Sequence, residues 1–188
     1  MKLFTRFTWF IVSAILVALN AQGQITLERV KVTKEISMEI PTTFSPMSQS
    51  EVINRYVSAR APLALYSDPG REVDIGINEN SSPWVGSDLT VVKDIYKANI
   101  LNLFTEVNFI QEDIREIGGR EFVVFEFVSK TTDEQSAIGD IQTISKYTYI
   151  LYTIRNGKVL LFNFTSPARQ RSYWQEAAAE IMESIRIK

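Results

Sequence analysis

The chain has 188 residues, 45% of them hydrophobic, and carries 20 basic against 22 acidic side chains. So balanced and slightly acidic a charge leaves no electrostatic footprint for nucleic acid, and the length suits one domain with a full core. There is no histidine and no cysteine, which removes Ser-His-Asp and Cys-His nucleophile pairs, imidazole or thiolate zinc sites, disulfides and a lipid anchor on an N-terminal cysteine.

Residues 1–23 read as an export signal. Lys2 and Arg6 form a short basic region, Phe7 to Leu19 a largely apolar run without charge, and Ala21-Gln22-Gly23 presents small residues where a signal peptidase reads. The run is shorter than the roughly 20 residues that cross a bilayer, so cleavage is favoured over anchorage. Residues 24–188 then form one mature domain with no later membrane span, expected in the bacterial periplasm or outside the cell.

Ile25 to Pro41 alternates apolar and polar residues in two segments, which predicts two edge-like strands. Ser48 to Glu51 is a capping box, in which hydroxyl and carboxylate each satisfy the other residue's amide, and it opens a short helix to about Ser58. Pro62 to Ser67 is a compact strand, and Asp68-Pro69-Gly70 a turn. Val73, Ile75 and Ile77 alternate with Glu72, Asp74, Gly76 and Asn78, the pattern of a half-buried antiparallel strand with a solvated acidic face. After a loop over 79–87, Ser87 or Asp88 caps a second helix that runs to about Phe104.

Val107 to Ile117 alternates again before the Gly118-Gly119 turn. Glu121 to Lys130 is apolar on both faces except for Glu126, and Thr131 to Ser145 reads as one long polar loop. Tyr147 to Arg155 and Lys158 to Ser166 are strands joined by Asn156-Gly157, a strong hairpin signal. In "VLLFNFT" Val159, Leu161 and Asn163 face one way and Leu160, Phe162 and Phe164 the other, so this strand needs cover on both sides. Pro167 is placed at the first turn of a final helix that ends near Glu183 and buries Tyr173 or Trp174, Ala177, Ala178 and Ile181. The order predicts an α+β fold: a single antiparallel β-sheet with helices on both faces, an α/β/α sandwich.

Three stretches, "ISMEIPTTF", "YILYTIRNGKVLLFNFTSP" and "YWQEAAAEIMESIRI", in this order resemble the fold family of PsbP, Mog1 and the DcrB-like proteins. The resemblance spans nearly the whole mature chain and implies a non-catalytic accessory or binding role. No binding motif of that family matches position by position.

The candidate binding residues are Trp84, set between proline and glycine in a loop, and Tyr66, Asp68 and Arg71 around the turn before it. Loops carry function and tryptophan anchors interfaces. The favoured reading of Trp84 by itself is a plug that covers one edge of the core, since large aromatics usually bury. Tyr147, Tyr149 and Tyr152 suggest core packing or, as a second choice, a ligand groove. Arg169 and Arg171 beside Tyr173 oppose the dipole of the last helix and could mark an acidic partner. Glu112, Asp113 and Glu116 lack a paired carboxylate on another element. Asp68, Glu72, Asp74 and Asn78 do not follow the calcium-loop spacing, and alternate residues on a strand lie about 6.6 Å apart. The expectation is therefore no metal and no cofactor, and a protein or small-molecule partner in the envelope. The alternative is a carboxylate-based hydrolase or a calcium-dependent binding protein.

Overall fold

The computed structural model describes residues 25–55, 61–81, 88–133 and 142–188. Here the strands form two sheets, not one. The larger has seven strands in the order β3-β4-β5-β9-β8-β7-β6, and every pairing is antiparallel. Its strands are β3 (Ser45–Pro46), β4 (Ala64–Ser67), β5 (Asp74–Ser81), β6 (Glu106–Ile117), β7 (Arg120–Asp133), β8 (Gln142–Arg155) and β9 (Lys158–Pro167). The smaller sheet joins β1 (Leu27–Lys31), β2 (Ile36–Pro41) and β10 (Arg186–Ile187).

The second sheet exists because β2 is amphipathic and its apolar face needs a surface to cover. Its inner residues Ile36, Met38 and Ile40 are buried in the same cluster as Phe122, Phe162 and Phe164 of the large sheet. Lying across that face satisfies them better than extending its edge. The chain end contributes the third strand, with Arg186 opposite Ser37 and Ile187 opposite Ile36.

Between and after the strands lie α1 (Gln49–Arg55), α2 (Leu89–Leu103) and α3 (Arg171–Glu183). The capping box forms: the Ser48 amide donates to Glu51 Oε2 at 2.7 Å, and the Glu51 amide to Ser48 Oγ at 3.3 Å. Asp88 is the cap of α2, accepting from the Thr90 amide at 2.8 Å. Both chain reversals expected from Gly do occur. Asn156 and Gly157 have φ of 48° and 79°, and Gly118 and Gly119 have 60° and 80°, which close two-residue hairpins whose twist matches the strands.

Three expectations change. Pro167 ends β9 instead of opening a helix; a 3-10 turn over Ala168–Gln170 follows, and α3 starts at Arg171. The polar stretch after Lys130 is strand at both of its described ends, since β7 and β8 keep their register out to Asp133 opposite Gln142, and 134–141 lie outside the described residues. Threonines and serines there carry enough β-propensity once a partner strand is in place. The acidic face of β5 is not solvated over its first half: Asp74 is 5% exposed and Gly76 is buried. A Cβ built on Gly76 would meet Asn163 Oδ1 at 2.5 Å, so glycine is what lets β9 lie this close.

The alternation in β7 and β9 divides the core. Phe122 and Val124 join Leu160, Phe162 and Phe164, together with Trp174, Ala178 and Ile181 of α3. Val123, Phe125 and Phe127 instead join Val159 and Tyr152, together with Val92 and Ile100 of α2. Trp174, not Tyr173, is the buried aromatic of α3; Tyr173 is 55% exposed.

Candidate functional site

Tyr66, Asp68 and Arg71 share one end of the large sheet, but each is held by a different force. Tyr66 is buried, and burial raises its hydroxyl pKa above the ordinary 10.0. Asp68 organises the turn: its carboxylate accepts from the amides of Gly70 at 3.0 Å, Glu72 at 2.8 Å and Val73 at 2.8 Å. Those bonds occupy the oxygens that a bound group would need.

Arg71 is the unusual residue. Its φ of 57° lies in the left-handed region that non-glycine residues rarely adopt. From there its guanidinium reaches Glu51 Oε1 at 2.8 Å and Ser45 Oγ at 3.3 Å. It thus fastens the turn to α1 and the edge strand β3. Hydrogen bonds from the Ser48 amide and hydroxyl, reinforced by the Arg71 charge, hold the Glu51 carboxyl below its usual range.

The same turn meets the start of α3. Arg169 Nη2 lies 2.9 and 2.8 Å from the two oxygens of Glu72, and Gln170 Nε2 donates to Glu72 at 2.8 Å. The side-chain Oε1 of Gln170 accepts from Trp174 Nε1 at 3.1 Å, and Tyr173 packs edge-on against Trp174 with centroids 5.1 Å apart. The expected dipole mismatch at Arg169 is thereby relieved by a carboxylate from a distant turn. Two regions that were separate in sequence, Asp68 to Glu72 and Arg169 to Tyr173, become one surface.

Trp84 lies outside the described residues. Ser81, at the near side of that loop, pairs with Lys158, while Asp74 at the other end of β5 pairs with Thr165. The intervening strand spans roughly 23 Å at the usual rise.

The tyrosines on β8 do not floor a groove. Tyr147 and Tyr149 are almost fully buried in the core cluster that holds α3, and Tyr152 stacks on Tyr96 of α2 at 3.9 Å. Glu126, the lone acid in its apolar strand, is 6% exposed and ties α3 down: Tyr147 donates to its Oε1 at 3.0 Å and Gln175 at 2.6 Å. Glu112 pairs with Lys97 at 2.6 Å and Lys93 at 3.7 Å across to α2. Among the described residues no group of three or more Asp or Glu converges as a metal site.

The fold of this chain is similar to that of several solved proteins. The PsbP protein CyanoP of Synechocystis sp. PCC 6803 superposes with a TM-score of 0.59 at 12% identity, over 90% of this chain and 96% of that one. The chain has the PsbP/Mog1 fold. The Saccharomyces cerevisiae Ran-binding protein Mog1p gives 0.55 at 9% identity, over 87% of this chain and 96% of that one. LpqN of Mycobacterium tuberculosis, involved in cell envelope biogenesis, gives 0.53 at 13% identity, over 92% of this chain and 96% of that one. No family model and no curated protein matches the sequence. Among the described residues no helix is long and apolar enough to cross a membrane.

Sequence reasoning missed Ser45, Glu51 and Gln170 as parts of this surface. Glu51 carried a signal only for its cap, and nothing local points from Gln170 to a turn 98 residues away.

Proposed function

We propose that this chain is an exported accessory protein of a bacterial envelope that works by binding a protein partner, through the surface where the β4–β5 turn meets the start of α3. The observation that carries the reading is the Arg169–Glu72 contact, which fastens the segment leading into α3, where Tyr173 is exposed, to the β4–β5 turn. Aromatic and arginine side chains on a fixed scaffold are the residues that anchor interfaces. The absence of histidine and cysteine supports a binding role over catalysis, and so does the fate of Glu126, whose Oε1 already accepts two internal bonds. The Ran-binding and envelope descriptions of two fold relatives agree with it.

Export rests on the N-terminal pattern, with cleavage after Gly23. N-terminal sequencing of the secreted chain checks it; a start at Gln24 is the expected result, and a retained Lys2 the contrary one. The division of the core supports a layered reading, with α2 on one face of the large sheet and α3 with the small sheet on the other. Trp84 stays a proposed contact, Trp84→Ala being expected to weaken partner capture without lowering the melting temperature.

The surface itself is tested by a photo-crosslinking residue at Tyr173, with one at Lys130 as control. A discrete adduct in envelope extract from position 173 alone, lost on Arg169→Glu, is the expected result. Equal adducts from both positions would remove this face as the binding surface.

A further inference from the structure

At the opposite end of β9 from that surface, three cations stand in one row. Arg155 pairs with Lys158 in the β8–β9 register. Extending the β7–β8 register by three pairs from Val123 opposite Tyr152 puts Arg120 opposite Arg155. The Arg120 guanidinium confirms the proximity, since its Nη1 contacts the Ile154 carbonyl at 3.4 Å. Like charges directly opposite on neighbouring strands destabilise a sheet unless something neutralises them.

Two carboxylates are present for the three. Glu35, from the β1–β2 turn, lies 2.5 Å from Arg155 Nη2, and Glu79 lies 2.5 Å from Lys158. Arg120 has no carboxylate among the described residues. Its Nε is buried without a hydrogen-bond partner, and its single contact is a long one. Arg186 runs along the Gly118 turn, two residues before Arg120, its Cδ 3.1 Å from where a Cβ would sit on that glycine, and among the described residues its Nη1 donates to the carbonyls of Glu183 and Ile185. The Arg155 side chain is 11% exposed, so its charge sits where water screens it poorly. Counting Arg186 with Arg120, Arg155 and Lys158, this end of the sheet sets four cations against two carboxylates, and one long contact holds the Arg120 guanidinium.

We infer that the rim formed by Arg120, Arg155 and Arg186 binds the phosphate group of a small phosphorylated molecule or of a lipid headgroup. A guanidinium fork matches a phosphate with two parallel hydrogen bonds, and an oxyanion there would satisfy the orphaned Nε and the excess charge together. Glu35 would flank the ligand as the carboxylate already closing Arg155.

Arginine side-chain N–H signals of the 24–188 chain are followed by NMR while inorganic phosphate is added, against sodium chloride at equal ionic strength. The expected result is a saturable shift of the Arg120 Nε–H signal that chloride does not reproduce, weakened about tenfold or more in Arg155→Gln, the cost of one charge-assisted contact. Vesicles with anionic phospholipid, against phosphatidylcholine alone, distinguish the sources. Flotation that Arg120→Gln abolishes assigns a headgroup, and a phosphate shift without flotation assigns a soluble phosphate. A shift that chloride matches, together with flotation that Arg120→Gln retains or that never occurs, overturns the site. None of these outcomes depends on the surface at Tyr173.

Discussion

Arg169 grips both carboxylate oxygens of Glu72, a residue 97 positions earlier, and so closes the start of the last helix onto the β4–β5 turn. The side chains are 68% and 47% exposed, which puts the pair in water. An exposed pair contributes within about 1 kcal/mol to stability, because solvation and side-chain entropy offset the attraction. A double-mutant cycle of Glu72→Ala and Arg169→Ala should therefore move the unfolding free energy by less than that, while each single change lowers capture at Tyr173. Large loss of stability would make the pair structural and leave the surface without its organising contact.

Phe162 is fully buried in the middle of β9, in edge-on contact with Phe122 at 6.1 Å. Phe162→Ala should cost about 3–5 kcal/mol, from lost transfer energy and the cavity left behind. Urea denaturation reads it directly. A midpoint close to that of the parent chain would mean that the surrounding side chains collapse into the space.

Gly76→Ala tests a close approach between β5 and β9. The added methyl would stand 2.5 Å from Asn163 Oδ1, well inside contact distance. Overpacking of this kind costs about 1–3 kcal/mol. Since the obstacle is a side chain, Asn163→Ala in the same molecule should recover much of the loss, a coupling expected of residues in contact. Additive losses in the double variant would instead place the strain in the backbone.

Alkali should unfold the protein through its tyrosines. Burial raises the hydroxyl pKa of Tyr66, Tyr96, Tyr147, Tyr149 and Tyr152 above the ordinary 10.0; for Tyr147 the nearby Glu126 charge adds to it. A raised folded-state value means that the unfolded chain loses these protons first as pH rises. The stabilisation is complete below pH 10.0 and shrinks as pH climbs beyond it toward the folded-state values. Ultraviolet tyrosinate absorbance and circular dichroism recorded together check the point, because the buried rings should ionise only as the dichroism collapses. Ionisation of Tyr66, Tyr147, Tyr149 and Tyr152 near pH 10.0 with the fold intact would contradict their burial. Tyr147→Phe, which takes a donor from the buried Glu126 carboxylate, should cost about 1–3 kcal/mol at neutral pH.

Much of this molecule can be read from local chemistry. The Asn156-Gly157 and Gly118-Gly119 reversals, the Ser48–Glu51 box and the Asp88 cap follow from residues within four positions of one another, where dihedral preference and reach decide the outcome. Alternation alone also fixes that β9 is covered on both sides, because a strand with Leu160, Phe162 and Phe164 on one face and Val159 and Leu161 on the other can lie in no other place without exposing one set. Composition by itself excludes histidine and cysteine chemistry.

What the sequence left open is decided by partners distant along the chain. Whether β1 and β2 extend the large sheet or cover it depends on β10, at the far end of the chain, and on the space beside α3 that Ile36, Met38 and Ile40 fill. Asp74 has the pattern of a solvated residue but is buried, because alternation reports which face differs and not what packs against it. Asp68, Arg71 and Tyr173 are marked as singular residues by their neighbours in sequence. Only folding brings Glu72 under Arg169 and Arg71 onto Glu51. Pairings of that kind have no local cause: the energy that selects them is the burial of β9 between its neighbours, and the surface charges meet where that burial has already put their backbones.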